Sequence, residues 1–151
     1  MTARAALTHP SVLLAIAALA FNDHVLKRAA PGVLSGKLSD VAGMVCFPVL
    51  LAFVLDLVRR RDRRRTLVAA TVATGITFTA VKLWAPVTEL YRIGLGLAQW
   101  PVRALAALIT HHAVPPLARV QLVRDPTDLV ALVALVVPLW LAATVRTPTT
   151  G

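Results

Sequence analysis

The chain has 151 residues, of which 58% are hydrophobic and only 15% charged, with a mean hydropathy of +0.75. Soluble domains carry roughly 45–50% apolar residues, and a chain this short cannot enclose so much apolar surface on its own, which excludes an ordinary soluble domain. The net charge of +9 would suit nucleic acid, but six of the 16 basic residues stand in one run, Arg59-Arg60-Arg61-Asp62-Arg63-Arg64-Arg65. That run lies between apolar stretches without interleaved aromatics or zinc-ligand spacing, so it reads as a membrane-topology signal and, secondarily, as a contact for anionic lipid; no nucleic-acid partner is expected.

The pattern predicts an all-α, polytopic membrane helix bundle, one membrane domain over residues 1–151, with four transmembrane helices and an amphipathic interfacial or re-entrant segment. The first span covers about 7–29 and carries Asn22-Asp23-His24 in its second half. Its beginning imitates a signal peptide, with Arg4, the apolar run Ser11–Ala17 and Ala18-Leu19-Ala20 as an A-x-A site. Apolar character continues through Phe21 and resumes at Val25-Leu26, so an uncleaved helix is expected. The second span, about 39–58, holds Pro48; the third, about 66–85, ends at Lys82-Leu83-Trp84-Ala85-Pro86. Prolines inside spans are tolerated where neighbours re-satisfy the freed backbone groups. Trp84 and Trp100 sit near the ends of apolar stretches, as interfacial anchors do.

Residues 87–110 are amphipathic. Glu89, Arg92, Gly96, Gln99, Arg103 and Thr110 share one narrow stripe at about 100° per residue, while Leu90, Ile93, Leu95, Leu97, Leu105 and Leu108 cover the rest. Pro101 is expected to break this segment into two pieces. The last span, about 127–145, contains Pro138.

The arginine run belongs in the cytoplasm of a bacterial inner membrane, which puts the N-terminus inside and the Lys27–Leu38 loop outside. Four spans return the C-terminus, with Arg146, to the cytoplasm; a fifth crossing by 87–110 sends it outside. Arg119 and Arg124 slightly favour five. The placement of polar groups favours four, because only then do all of them collect at the outer end of the bundle. These groups are Asn22-Asp23-His24-x-x-Lys27, Gly36-Lys37-Leu38-Ser39-Asp40-x-x-Gly43, Lys82, and Asp125-Pro126-Thr127-Asp128.

Each group also has a purely structural reading. Asp125-Pro126-Thr127-Asp128 has the form of a helix start, with an N-cap acid, proline at N1 and an acid at N3. Lys82 lies one turn from a helix end, where lysines snorkel to headgroups. Asp23 and Lys27, four apart, and Lys37 with Asp40 are placed to pair along their helices and clamp them together. His111-His112 precede Ala-Val-Pro-Pro in a loop and are not spaced as metal ligands; no metal site is expected, and no cofactor is indicated. Cys46 is the only cysteine, so no disulfide framework exists.

The motifs N-D-H-x-x-K, G-K-L-S-D-x-x-G and D-P-T-D-L, with a lysine ahead of Trp84-Ala85-Pro86, resemble those of a group of small uncharacterised bacterial multi-pass membrane proteins. The resemblance covers most of the chain and implies a bacterial membrane location without implying an activity. The VanZ-like membrane proteins carry D-K-x-x-H, which Asp23-His24-x-x-Lys27 reverses, and that likeness is set aside.

The functional expectation is an outer-leaflet polar site that binds, or also processes, an anionic or lipid-linked substrate. Asn22, Lys27, Lys37, Ser39, Lys82 and Asp128 are the binding candidates, the lysines acting as point charges for phosphate or carboxylate. Asp23, His24 and Asp40 are the acid–base candidates, since imidazole titrates near neutral pH. No complete catalytic motif is present, so enzyme status stays open. Two alternatives remain. One is an accessory or scaffold membrane subunit whose polar pairs hold helices together; the other is a proton- or ion-coupled oligomer using the intramembrane acids and imidazole as relays. Membrane lipids are the expected surroundings in every case, and a homo-oligomer or a partner membrane subunit fits the last two.

Overall fold

A computed structural model describes residues 6–29, 32–58 and 63–144. Among these residues all regular structure is helical, with no strand. Three helices are long and apolar enough to cross a membrane: Ser35–Val58, Arg64–Leu83 and Pro126–Thr144. Residues Arg59–Asp62 of the arginine run and Arg146 lie outside the described set.

Helix α1 spans Pro10–Phe21, with proline in its first turn and His9 as N-cap, whose Nδ1 accepts from the Ser11 backbone N–H at 3.4 Å. It continues through a π-helical stretch, Asn22–Leu26, into a final turn, Lys27–Ala29. Val12, Ala15, Leu19 and Asn22 form its inward stripe at helical spacing. Helix α2 (Val33–Val58) begins earlier than its apolar run suggests, taking in Lys37 and the serines on either side of it. Ala42, Val45, Val49 and Ala52 repeat at 3–4-residue spacing along its buried face, and Pro48 is accommodated inside it. Helix α3 (Arg63–Leu83) buries Leu67 and Ala70 in the same core. Its buried hydroxyls are satisfied locally: Thr71 donates to the Leu67 carbonyl at 2.8 Å and Thr74 to that of Ala70 at 2.7 Å.

The chain divides into two compact units, Met1–Thr77 with Asp128–Gly151, and Phe78–Thr127. In the first unit the last span is wound in two ways. Pro126–Leu135 is a 3-10 helix of 10 residues, and Val136–Thr144 continues it as helix α5. Runs of 3-10 helix beyond about 3–4 residues are uncommon, so this stretch has a structural reason. With about 120° per residue up to Leu135 and about 100° beyond, Asp128, Ala131 and Leu141 fall on one face, and all three are buried. α-Geometry throughout would set Asp128 about 140° away from Leu141. Gly75 of α3 admits this helix closely: a Cβ there would come within 2.9 Å of Leu135 Cδ1.

Three contacts give the helix directions in this unit. The Asn22 amide at the end of α1 bonds to the start of α2, and Lys37 near the start of α2 meets Asp128 near the start of the last helix. The His9 ring at the start of α1 stands edge-on to Trp140 of α5, centroids 5.5 Å apart. Hence α1 runs antiparallel to α2, and α2 runs parallel to the last helix.

In the second unit α3 breaks at Trp84, whose backbone is extended, and helix α4 (Ala85–Ile109) begins with Pro86 in its first turn. Thr88 closes the corner, its hydroxyl bonding to the carbonyls of Val81 at 2.6 Å and Trp84 at 3.1 Å. Helix α4 runs unbroken through Pro101, where the sequence suggested two pieces. The cause is the segment that follows. The chain reverses at His111, which takes a positive φ of 55°, and returns in extended form along the polar stripe of α4. His112 N–H bonds to Ala107, the Trp100 indole N–H to the Pro115 carbonyl at 3.0 Å, and Val120 N–H to the Arg92 carbonyl at 3.2 Å. These ties lie on both sides of Pro101 and hold the helix together across the missing backbone bond.

Candidate functional site

Four of the expected polar residues, Asn22, Lys37, Ser39 and Asp128, come together at one end of the first unit. Asn22 is fully buried, and its Nδ2 donates to the Ser35 carbonyl at 2.9 Å and to Ser39 Oγ at 2.6 Å. Ser35 in turn closes the entry to α2, donating through Oγ to the Gly32 carbonyl at 3.0 Å. An asparagine on the inward stripe of an otherwise apolar helix is costly unless both ends of its amide find partners. Here the donor end is used twice, while Asn22 Oδ1 is buried with no hydrogen-bond partner. The orientation of the amide is fixed by the Ser35 carbonyl, which can only accept.

One step away, Lys37 Nζ reaches Asp128 Oδ1 at 3.1 Å, joining α2 to the last helix across 91 residues of sequence. The Asp128 side chain is 12% exposed and that of Lys37 28%, so the pair sits at the edge of the buried region with its carboxylate inward. Asp128 reaches this place because the 3-10 winding keeps it on the core face. The neighbouring Asp125 caps the same helix, accepting from the Thr127 N–H at 2.8 Å, as its spacing predicted.

Of the residues singled out from the sequence, Asn22, Lys37, Ser39 and Asp128 are therefore joined by direct contacts into two pairs of helices sharing α2. Asp40 is half-buried on α2 and engaged within the protein, and His24 is exposed. The side chains of Asp23 and Lys27 lie outside the described set, so their pairing has no structural account. Lys82 belongs to the second unit. It does not snorkel outward there: it is buried at 7% exposure, its ammonium 5.4 Å from the Phe78 ring centroid one turn earlier. Ser35 was not anticipated. Its role follows from the Gly32-x-x-Ser35 turn, a local hydroxyl-to-backbone motif that the sequence contained.

A second polar set lies on the α4 hairpin. Glu89 accepts from Arg92 at 2.6 Å and from Arg119 at 3.2 Å, and Arg92 Nε donates to the Val120 carbonyl at 3.0 Å. Gly96 is buried beneath Ala118, where any Cβ would collide with the Ala118 carbonyl oxygen. Glu89, Arg92 and Gly96 of the predicted stripe thus meet the chain's own return segment, whereas Gln99 and Arg103 are exposed. Among the described residues no cluster of His, Cys, Asp or Glu is arranged to hold a metal ion. Compared with protein-family models, with curated proteins and with solved structures, the chain matches none.

Proposed function

We propose that this chain is a four-span membrane helical bundle with a re-entrant helical hairpin, acting as an accessory or scaffold membrane subunit whose polar layer clamps its helices together. The observation that carries the reading is the Lys37–Asp128 pair, a lysine already satisfied by an inward carboxylate on another helix. A lysine held in this way has little left to offer a phosphate. Asn22 acts in the same sense, spending its donor on Ser35 and Ser39 of α2.

Chain direction supports this span count. Pro10–Leu26 is apolar and, at about 1.5 Å per residue, reaches about 25 Å before its last turn. α2 and the last helix run in the same direction, which α3 allows by returning once between them. Within the second unit the hairpin comes back on itself, Arg119 returning to Glu89 near the start of α4, so this segment adds no net crossing. Its outer face presents Leu90, Leu97, Val102, Leu105 and Leu108, a surface suited to lipid, while the Glu89–Gly96 part of its polar stripe is covered from within. A bacterial inner membrane, with the arginine run cytoplasmic, accords with the motif resemblance and the distribution of basic residues.

A second reading keeps the polar layer as a site for an anionic or lipid-linked substrate. It is favoured by one observation, the unpartnered buried Asn22 Oδ1 beside a π-helical stretch, a geometry that recurs at functional sites.

Lys37→Met distinguishes the two. A clamp loses stability, by about 2–4 kcal/mol, because a buried carboxylate loses its cation; the double variant Lys37→Met/Asp128→Leu regains most of it. The measurement is thermal unfolding of the purified chain in micelles, arranged as a double-mutant cycle. Unchanged stability in Lys37→Met would sink the clamp and leave the substrate site.

A further inference from the structure

In the first unit an open groove of about 680 Å³ runs along the exposed side of α3. It is built by two adjacent rows of the helix surface. One row is Arg64, Val68, Val72 and Ile76; the other is Arg65, Ala69 and Ala73. Rows of residues four apart form the ridges of a helix, so the branched side chains make a ridge and the alanines beside it a trough. Each row is headed by an arginine. All these side chains are exposed, Ile76 to 66% and Val72 to 51%.

The dimensions match a lipid. From Arg65 to Ile76 the helix rises about 16 Å at about 1.5 Å per residue, close to the depth of one leaflet, about half of a hydrocarbon core of about 30 Å. The polar end fits as well: a guanidinium offers forked donors to phosphate oxygens, and the two at the groove head follow four further arginines and one aspartate in sequence, Arg59–Arg63. We infer that the groove on α3 is a binding site for one anionic phospholipid, with Arg64 and Arg65 holding the headgroup phosphate and the acyl chain lying along the Ala69–Ala73 trough. The occupant is anionic because the groove head is strongly cationic, and a lipid because the remainder of the groove has no polar lining. Diffuse attraction by the arginine run would draw anionic lipid to the surface without requiring the trough, so trough and head are separable by mutation.

The test uses the full chain, extracted in a mild detergent and examined by native mass spectrometry with added dioleoyl phosphatidylglycerol or dioleoyl phosphatidylcholine. The expected result is several-fold greater retention of phosphatidylglycerol. Arg64→Gln/Arg65→Gln and Val72→Trp each bring retention down to the phosphatidylcholine level, whereas Arg59→Gln/Arg60→Gln, which removes the same charge at positions outside the groove's described lining, keeps most of the preference. Ile76→Ala, which trims the ridge without adding bulk, lowers retention even if the tryptophan disturbs folding. Equal retention of the two lipids by the unaltered chain overturns the inference. So does an equal loss from both arginine pairs, or full retention in both trough variants, since either outcome leaves only diffuse charge. The inference rests on the chain being embedded in a bilayer, and alkaline carbonate extraction decides that separately: a released chain fails the membrane reading before any lipid is added.

Discussion

At Asn22 the amide nitrogen is used twice and the amide oxygen not at all. This asymmetry gives an ordered pair of variants. Asn22→Ala removes two interhelical donor contacts and costs about 1 kcal/mol, the usual scale of such bonds between membrane helices. Asn22→Asp costs more, because an oxygen then faces the Ser35 carbonyl and a carboxyl group is placed in a buried position. Thermal unfolding in micelles ranks the two, and a more stable Asp variant would mean that the amide is turned the other way. The residue itself was legible in the sequence, as the polar member of an otherwise apolar stripe. Its partners were less so. Ser39 belongs to a motif already singled out, but Ser35 contributes a backbone carbonyl, and no sequence pattern reports which carbonyl a side chain will reach. Lys37 shows the same limit: its neighbour Asp40 is the partner that spacing suggests, while Asp128 becomes available only through the winding of a distant helix.

The α4 hairpin shows how much an element depends on what covers it. Apolar and polar periodicity marked residues 87–110 as a helix with a distinct polar stripe, and α4 occupies Ala85–Ile109. What covers that stripe was not legible, because residues 112–125 carry neither helical nor strand periodicity and are tied by side-chain and backbone bonds to the helix they follow. Gly96 was visible as a stripe member, yet its purpose appears only with Ala118 lying over it. Gly96→Ala therefore has to push the return segment away, at about 1–3 kcal/mol for an overpacked contact. Gly94→Ala is the control, since a Cβ there meets nothing within 4 Å and the helix gains up to about 1 kcal/mol in propensity. Limited proteolysis of the 112–125 segment reads the difference: faster cleavage in Gly96→Ala and no change in Gly94→Ala. Equal cleavage rates would mean that the return segment is not held by this contact. Pro101 carries the same lesson. Its ring predicts a break from local chemistry alone, and tertiary ties at Trp100 and Arg92 override it.

For the molecule as a whole, composition and hydropathy sufficed to locate the three helices long and apolar enough to cross a membrane, because long apolar runs mark such helices whatever they pack against. The start of α2 was placed at Ser39 because Lys37 and its neighbours up to Leu38 read as the end of a loop, although the helix carries them beyond its apolar run. Sidedness is tested by single cysteines in a Cys46→Ala background, at positions the structure leaves accessible. Gly36→Cys is exposed with open space at its Cβ, and Arg65→Cys and Thr144→Cys are also exposed. With four spans, an impermeant thiol reagent labels position 36 in intact cells and reaches 65 and 144 only after permeabilisation. Labelling at 65 reverses the orientation, and labelling at 144 alone requires a fifth crossing.

The mixed winding of the last span bears on bilayer thickness as well as on the facing of Asp128. Its 10 residues of 3-10 helix rise about 20 Å and its 9 residues of α-helix about 13 Å, together about 33 Å. The same residues as plain α-helix reach only about 28 Å, short of a hydrocarbon core of about 30 Å. The tighter coil is thus also the longer one, and it brings a short apolar segment up to the length that such a core requires.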